Sequence, residues 1–183
     1  MIESNYKERS KIGNFFYKLT TRFASFLMKH MWLYYVLNYT WGLLTTIWGW
    51  LAYLFIRIFL KNKIVEHGVL GPCHYAMFGD NWGGLELGTN FALADNMGKQ
   101  WTLHTKQHEM GHTFQSCLYG PFIIFLVFIP SVTRYWLERA GKLKHDYDYA
   151  WFEESASNIG KEYYENYPIR QKITSIYRPN LKK

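Results

Sequence analysis

His108-Glu109-Met110-Gly111-His112 sets two imidazoles four residues apart with a carboxylate beside the first. On a helix, residues four apart lie above one another, separated by about one 5.4 Å turn, so both rings converge on one point. Two neutral imidazoles at that point make half of a tetrahedral zinc site. Glu109 lies toward the same side, where it can take a proton from a zinc-bound water whose pKa has dropped from roughly 16 toward 7. That would yield a hydrolytic nucleophile without a serine or cysteine. His104 and His108 form a competing pair, but no carboxylate stands between them where Glu109 stands between His108 and His112.

Such a site needs a helix, and the segment from Thr102 to Leu118 reads as one. It has no proline, Leu103, Met110, Phe114 and Leu118 recur at helical spacings, and Gly120-Pro121 ends it. A catalytic zinc takes three protein ligands and leaves the fourth position to water. The next helical pattern, Tyr149 to Gly160, offers adjacent acids at Glu153 and Glu154.

An H-E-x-x-H helix followed by a helix bearing E-x-x-A/S-D/N resembles the gluzincins, thermolysin-like zinc metallopeptidases whose second helix supplies a glutamate ligand. Two registers fit: Glu153 with Ala156 and Ser157, or Glu154 with Ser157 and Asn158. The W-F-E-x-x-A form favours Glu153, and the small Ala156 would let the two helices approach closely. Ser157 or Asn158 would then hold the second nitrogen of a ligating histidine. The resemblance covers Leu85 to Gly160. It implies a zinc ion on His108, His112 and Glu153, Glu109 as general base, and a peptide or protein substrate. It also implies an oxyanion donor near the site; Tyr147, Tyr149 and His145 precede the second helix, and Tyr149 is the candidate.

Asn81-Trp82-Gly83-Gly84 is a turn signal, and Leu85, Leu87, Thr89, Phe91 and Leu93 then alternate with less apolar residues. This predicts one half-buried strand over 85–94. In gluzincins a strand there forms the cleft rim and pairs with extended substrate.

Met31 to Ile56 has no charged side chain and is dense in Trp, Tyr, Leu, Ile and Phe. Its 26 residues exceed the roughly 20 that cross a bilayer core of about 30 Å. Before it, Phe15, Phe16, Leu19, Phe23, Phe26 and Leu27 fall on one helical face with Lys18, Arg22 and Lys29 elsewhere, an interfacial pattern. A mean hydropathy of −0.23 does not oppose this, because that index scores Trp and Tyr as mildly polar. Phe122 to Ile129 is a second apolar stretch between Pro121 and Pro130, too short to span alone: a membrane segment shared with the end of the zinc helix, a re-entrant piece, or a buried hairpin.

The net charge of +7 concentrates before the apolar run and suits anionic lipid. No nucleic-acid partner is expected, since no recognition motif accompanies the basic residues. Cys73 and Cys117 are too few for a disulfide framework and read as free or buried thiols.

The expected fold class is therefore α+β: a mainly helical, minimal zincin-like domain over 64–183 with a short sheet and the second apolar segment at about 121–133. Residues 1–63 precede it as a basic interfacial helix and a transmembrane or membrane-associated helix. The expected function is a membrane-associated zinc peptidase; the alternatives are a zinc hydrolase of another amide or ester, and a non-catalytic membrane interaction protein with a structural or vestigial metal.

Overall fold

Helix α4 (Lys99–Tyr119) carries the H-E-x-x-H residues and packs against a five-stranded sheet on one side and helix α6 (Trp151–Asn166) on another. The computed structural model describes residues 2–5, 9–79, 82–95, 98–167 and 171–176. Upstream lie α1 (Lys11–Lys29), α2 (Met31–Tyr39) and α3 (Leu43–Phe59), then strands β1 (Ile64–Leu70), β2 (Cys73–Phe78), β3 (Gly84–Leu87) and β4 (Asn90–Ala94). After α4 the chain runs through a 3-10 turn and a π-helical segment, Ile124–Phe128, into α5 (Ile129–Arg139), then α6 and β5 (Gln171–Ile176).

The sheet order is β3-β4-β2-β1-β5, antiparallel except for the parallel β2/β4 pair. The single strand expected over 85–94 is two strands. Gly88, at φ +66°, reverses the chain between Leu87 and Asn90, and Leu85 pairs with Ala92. Alternation cannot distinguish a strand that continues from one that folds back in phase, because both keep the period of two. Asn81, in the expected turn, lies outside the described residues. β1, β2 and β5 show no clean alternation in sequence, and β5 lies beside β1 at the other edge of the sheet.

One core joins the sheet, the first two helices and the α4–α6 pair. Leu27, Met28, Tyr34, Tyr75, Leu93, Met110, Phe114 and Ile159 are all buried in it. Cys73, on β2, and Cys117, on α4, are free and buried, and beside them the Tyr34 hydroxyl donates to Thr113 Oγ1 at 2.9 Å.

α1 begins at Ser10, whose side chain accepts from the Gly13 amide at 3.1 Å. Its inner face is Gly13, Tyr17, Thr20, Thr21, Ala24, Leu27 and Met28, largely small residues that allow close packing. The phenylalanine face expected from spacing is split: Leu27 is buried, Phe16 and Phe23 are half-buried, and Phe15, Leu19 and Phe26 lie exposed beside Lys18 and Arg22. Among the described residues no single helix is long and apolar enough to cross a membrane. Two bent pairs pass by length and composition, α2 with α3 at 85° and α4 with the segment through α5 at 116°.

The α4–α6 contact is made by small residues. A Cβ on Gly111 would stand 1.9 Å from the Ala156 carbonyl oxygen, and one on Gly160 would stand 1.7 Å from that of Gln107. Neither backbone can retreat without separating the helices. Gly111→Ala and Gly160→Ala are each expected to lower stability by about 1–3 kcal/mol, as read by urea unfolding.

Candidate metal centre

Glu153 and Glu154 sit in the first turn of α6, where the exposed amides and the helix dipole favour carboxylates. Being adjacent they point about 100° apart on the helix, and both are fully buried in opposite roles. Glu154 faces the N-terminal segment, accepting from Ser4 Oγ at 2.9 Å, from the Asn5 amide, and from Arg9 Nη2 at 2.5 Å. Glu153 faces α4. Its Oε2 lies 3.2 Å from His108 Nε2 and 3.6 Å from His112 Nε2, and the two Nε2 atoms are 3.0 Å apart. Glu153, not Glu154, is thus the carboxylate at the histidines, and His104 lies outside this cluster.

The outer nitrogens of both rings are engaged. Gln115 Nε2 donates to the Phe152 carbonyl at 2.7 Å and to Ser155 Oγ at 2.8 Å, which orients the amide so that Oε1 meets His112 Nδ1 at 2.8 Å. An amide oxygen only accepts, so His112 carries a proton on Nδ1 and turns Nε2 inward. His108 Nδ1 meets Ser157 Oγ at 2.8 Å, the partner expected from the Glu153 register. Neither oxygen of the buried Glu153 carboxylate has a hydrogen-bond partner among the described residues. Two inward-facing imidazole nitrogens and a buried carboxylate opposite them fit a divalent cation.

Burial alone would push the Glu153 pKa up, yet the two imidazoles hold it well below the usual carboxylate range. Burial opposes charge on His112, but Glu153, Glu109 and Glu86 outweigh it and push that imidazole up to about 9. The field that binds a proton here also favours a metal cation.

Glu109 is buried beside this cluster, and burial raises its pKa against the lowering effect of both histidines. Its carboxylate lies against the first residue of β3: a methyl on Gly84 would stand 2.0 Å from Glu109 Oε1. The same strand brings Glu86, pushed up to about 8 by burial, with Ser116 Oγ donating to it at 2.8 Å. Spacing along α4 could have revealed Gln115, one turn beyond His112. Nothing in the sequence ties Glu86 to the site, because the β3–β4 reversal places it there.

Of the three residues considered as oxyanion donors, Tyr147 faces the centre. Burial and the Glu153 carboxylate push its phenol far above the usual value, while Ser131 Oγ holds the hydroxyl at 3.0 Å. Arg134 fixes the segment by donating from Nη2 to the Tyr147 carbonyl at 2.8 Å. Tyr149 has other partners: its ring stacks on His145 at 4.3 Å, and its carbonyl accepts from Arg9 Nε at 2.9 Å.

Comparisons with protein-family models, with curated proteins and with solved structures found no match for this chain.

Two outcomes are expected. Glu153→Gln weakens zinc binding, whereas Glu154→Gln leaves it unchanged but costs about 1–3 kcal/mol of stability by removing the charge that pairs with Arg9; metal analysis and urea unfolding separate them. In zinc-free protein His112 is charged below about 9, so zinc must displace its proton. The Kd for zinc should therefore fall about tenfold per pH unit between about pH 6 and 8 and level off above about 9, as measured by chelator competition.

Proposed function

We propose that this chain is a zinc-dependent peptidase, similar in its site to the gluzincins and held at a membrane. The observation that carries the reading is the triangle of inward-facing donor atoms on His108, His112 and Glu153, with Glu109 buried beside it. Bound zinc would polarise the scissile carbonyl and lower the pKa of water.

The chain's own residues do the rest. Glu109 accepts a proton as the water oxygen attacks the carbonyl carbon, then delivers it to the amide nitrogen as the C–N bond breaks. Burial makes Glu109 a stronger base than an exposed glutamate, which suits proton transfer near neutral pH. Tyr147 supplies a donor for the developing oxyanion, held in place by Ser131 and Arg134. β3 is an end strand of the sheet and its first residue lies against Glu109, so a peptide added along its edge would run past the general base. Gln115 fixes a proton on His112 Nδ1 and Ser157 holds the His108 ring in place, so both imidazoles are oriented before turnover.

The test is peptide-library cleavage by the zinc-loaded full-length protein beside Glu109→Gln. The variant should retain one zinc per chain and lose about 10²–10⁴-fold in kcat. A zinc-loaded wild type that cleaves nothing, or a variant as active as wild type, would sink the peptidase reading.

A further inference from the structure

α3 packs inward through small residues and turns its large apolar residues outward, and the helices around it and the segment after α4 also expose large apolar side chains. α3 packs through Thr45, Thr46 and Gly49; a Cβ on Gly49 would stand 2.0 Å from the Leu87 carbonyl oxygen. Its outer side exposes Leu44, Trp48, Leu51, Phe55 and Phe59, a stripe running the length of the helix. Phe122, Phe125, Phe128, Ile129 and Val132 are likewise exposed past the second bend.

The two bends meet. The Trp41 ring, between α2 and α3, lies 6.1 Å from the Phe122 ring, and its indole N–H donates to the Leu118 carbonyl at 3.3 Å. α1 flanks this junction: Phe16 packs on the cluster holding Tyr119, Ile123 and Val127, and Thr20 Oγ1 meets the Tyr119 hydroxyl at 2.6 Å. Its outer stripe interleaves Phe15, Leu19 and Phe26 with exposed Lys11, Lys18, Arg22 and Lys29. From Arg9 to Val65, and again from Met110 to Leu137, the sequence contains no Asp or Glu. An apolar surface of this extent, bordered by cations and free of acids, is complementary to an anionic lipid surface.

Among the described residues no single helix passes as a span, and the two pairs that pass together are bent as in a broken span or a re-entrant segment. α2 has nine residues and α3 has 17, about 13 and 26 Å at 1.5 Å per residue, so α2 is far short of a core of about 30 Å and α3 sits at the lower limit of spanning helices. Their 85° bend prevents the lengths from adding along one axis, and the 116° bend after α4 turns that segment back on itself. We propose that the protein docks on one leaflet of an anionic bilayer without crossing it. The Trp41–Phe122 tip and the outer stripe of α3 lie among the acyl chains, and the basic outer stripe of α1 lies on the headgroups. This deepens the membrane part of the function proposed above and is independent of zinc. It also places the metal centre near the lipid surface, since His112 precedes Gly120 by eight residues, about 12 Å of helix.

The test uses the full chain in flotation assays with phosphatidylcholine vesicles, with or without phosphatidylglycerol. Wild type should bind the anionic vesicles more tightly, and high salt should weaken that binding without abolishing it. The double variant F122D/F125D should partition at least about tenfold more weakly while keeping its zinc content and urea midpoint. Replacing Lys11, Lys18, Arg22 and Lys29 with Gln should remove the preference for anionic lipid and leave the binding to neutral vesicles unchanged. In cells, Lys11→Cys, Lys61→Cys and Lys142→Cys, one at a time, should all react with an impermeant maleimide from the same side of the membrane. Labelling of any two from opposite sides overturns the proposal. So does unchanged vesicle binding by F122D/F125D, and a wild-type dimer that this variant dissolves without change in vesicle binding would assign the tip to a second copy. Loss of zinc in Glu153→Gln with vesicle binding intact would leave the docking standing, so the two readings fail separately.

Discussion

The backbone-to-backbone approach of α4 and α6 is the constraint on which the centre depends. Gly111 against Ala156 and Gly160 against Gln107 leave no space for even a methyl group, and the pairs lie on either side of His108 along the two helices. Close approach brings a short carboxylate arm from α6 within about 4 Å of both imidazoles of α4. It also sets the supporting hydrogen bonds, because Gln115 reaches Phe152 and Ser155, and Ser157 reaches His108, only at this separation. A well-packed interior transmits such constraints, so a change at either glycine is felt at the donor atoms.

Electrostatics explains why so much charge is tolerated there. Glu109 and Glu153 are buried, Glu86 lies beside them, and the only cationic groups among the centre's residues are the histidines. Buried carboxylates are costly unless paired, hydrogen-bonded or metal-bound. Glu154 shows the paired solution, held by Arg9, Ser4 and the Asn5 amide, and it ties the chain's beginning to the helix that carries Glu153. Glu153 has no lysine, arginine or backbone-amide partner among the described residues and faces the two imidazoles, the arrangement a cation completes.

The same economy of small residues recurs away from the centre. Gly13, Thr20, Thr21 and Ala24 line the inside of α1, and Thr45, Thr46 and Gly49 line that of α3. On α3 the large side chains are turned outward, so the metal-centre framework and the apolar exterior share a basis in close helix and sheet packing. α4 joins the two, carrying the histidines in its middle and ending at the bend where Trp41 meets Phe122.

Local spacing was enough to identify His108, Glu109 and His112, the helix bearing them, and the Gly120-Pro121 stop, because each depends on neighbours within a turn or two. The apolar character of residues 31–56 and 122–129 was equally legible, though not the bends that divide it. Long-range contact decided the rest. Whether Glu153 or Glu154 faces the histidines turns on about 100° of helix rotation, fixed by Gly111, Gly160 and the Arg9 pair. Glu86 came to the site because the strand expected to continue folds back at Gly88, and Tyr147 came to it through contacts with α5. Periodicity records which face of an element is apolar; which partner covers that face, or whether lipid does, depends on surfaces distant in sequence.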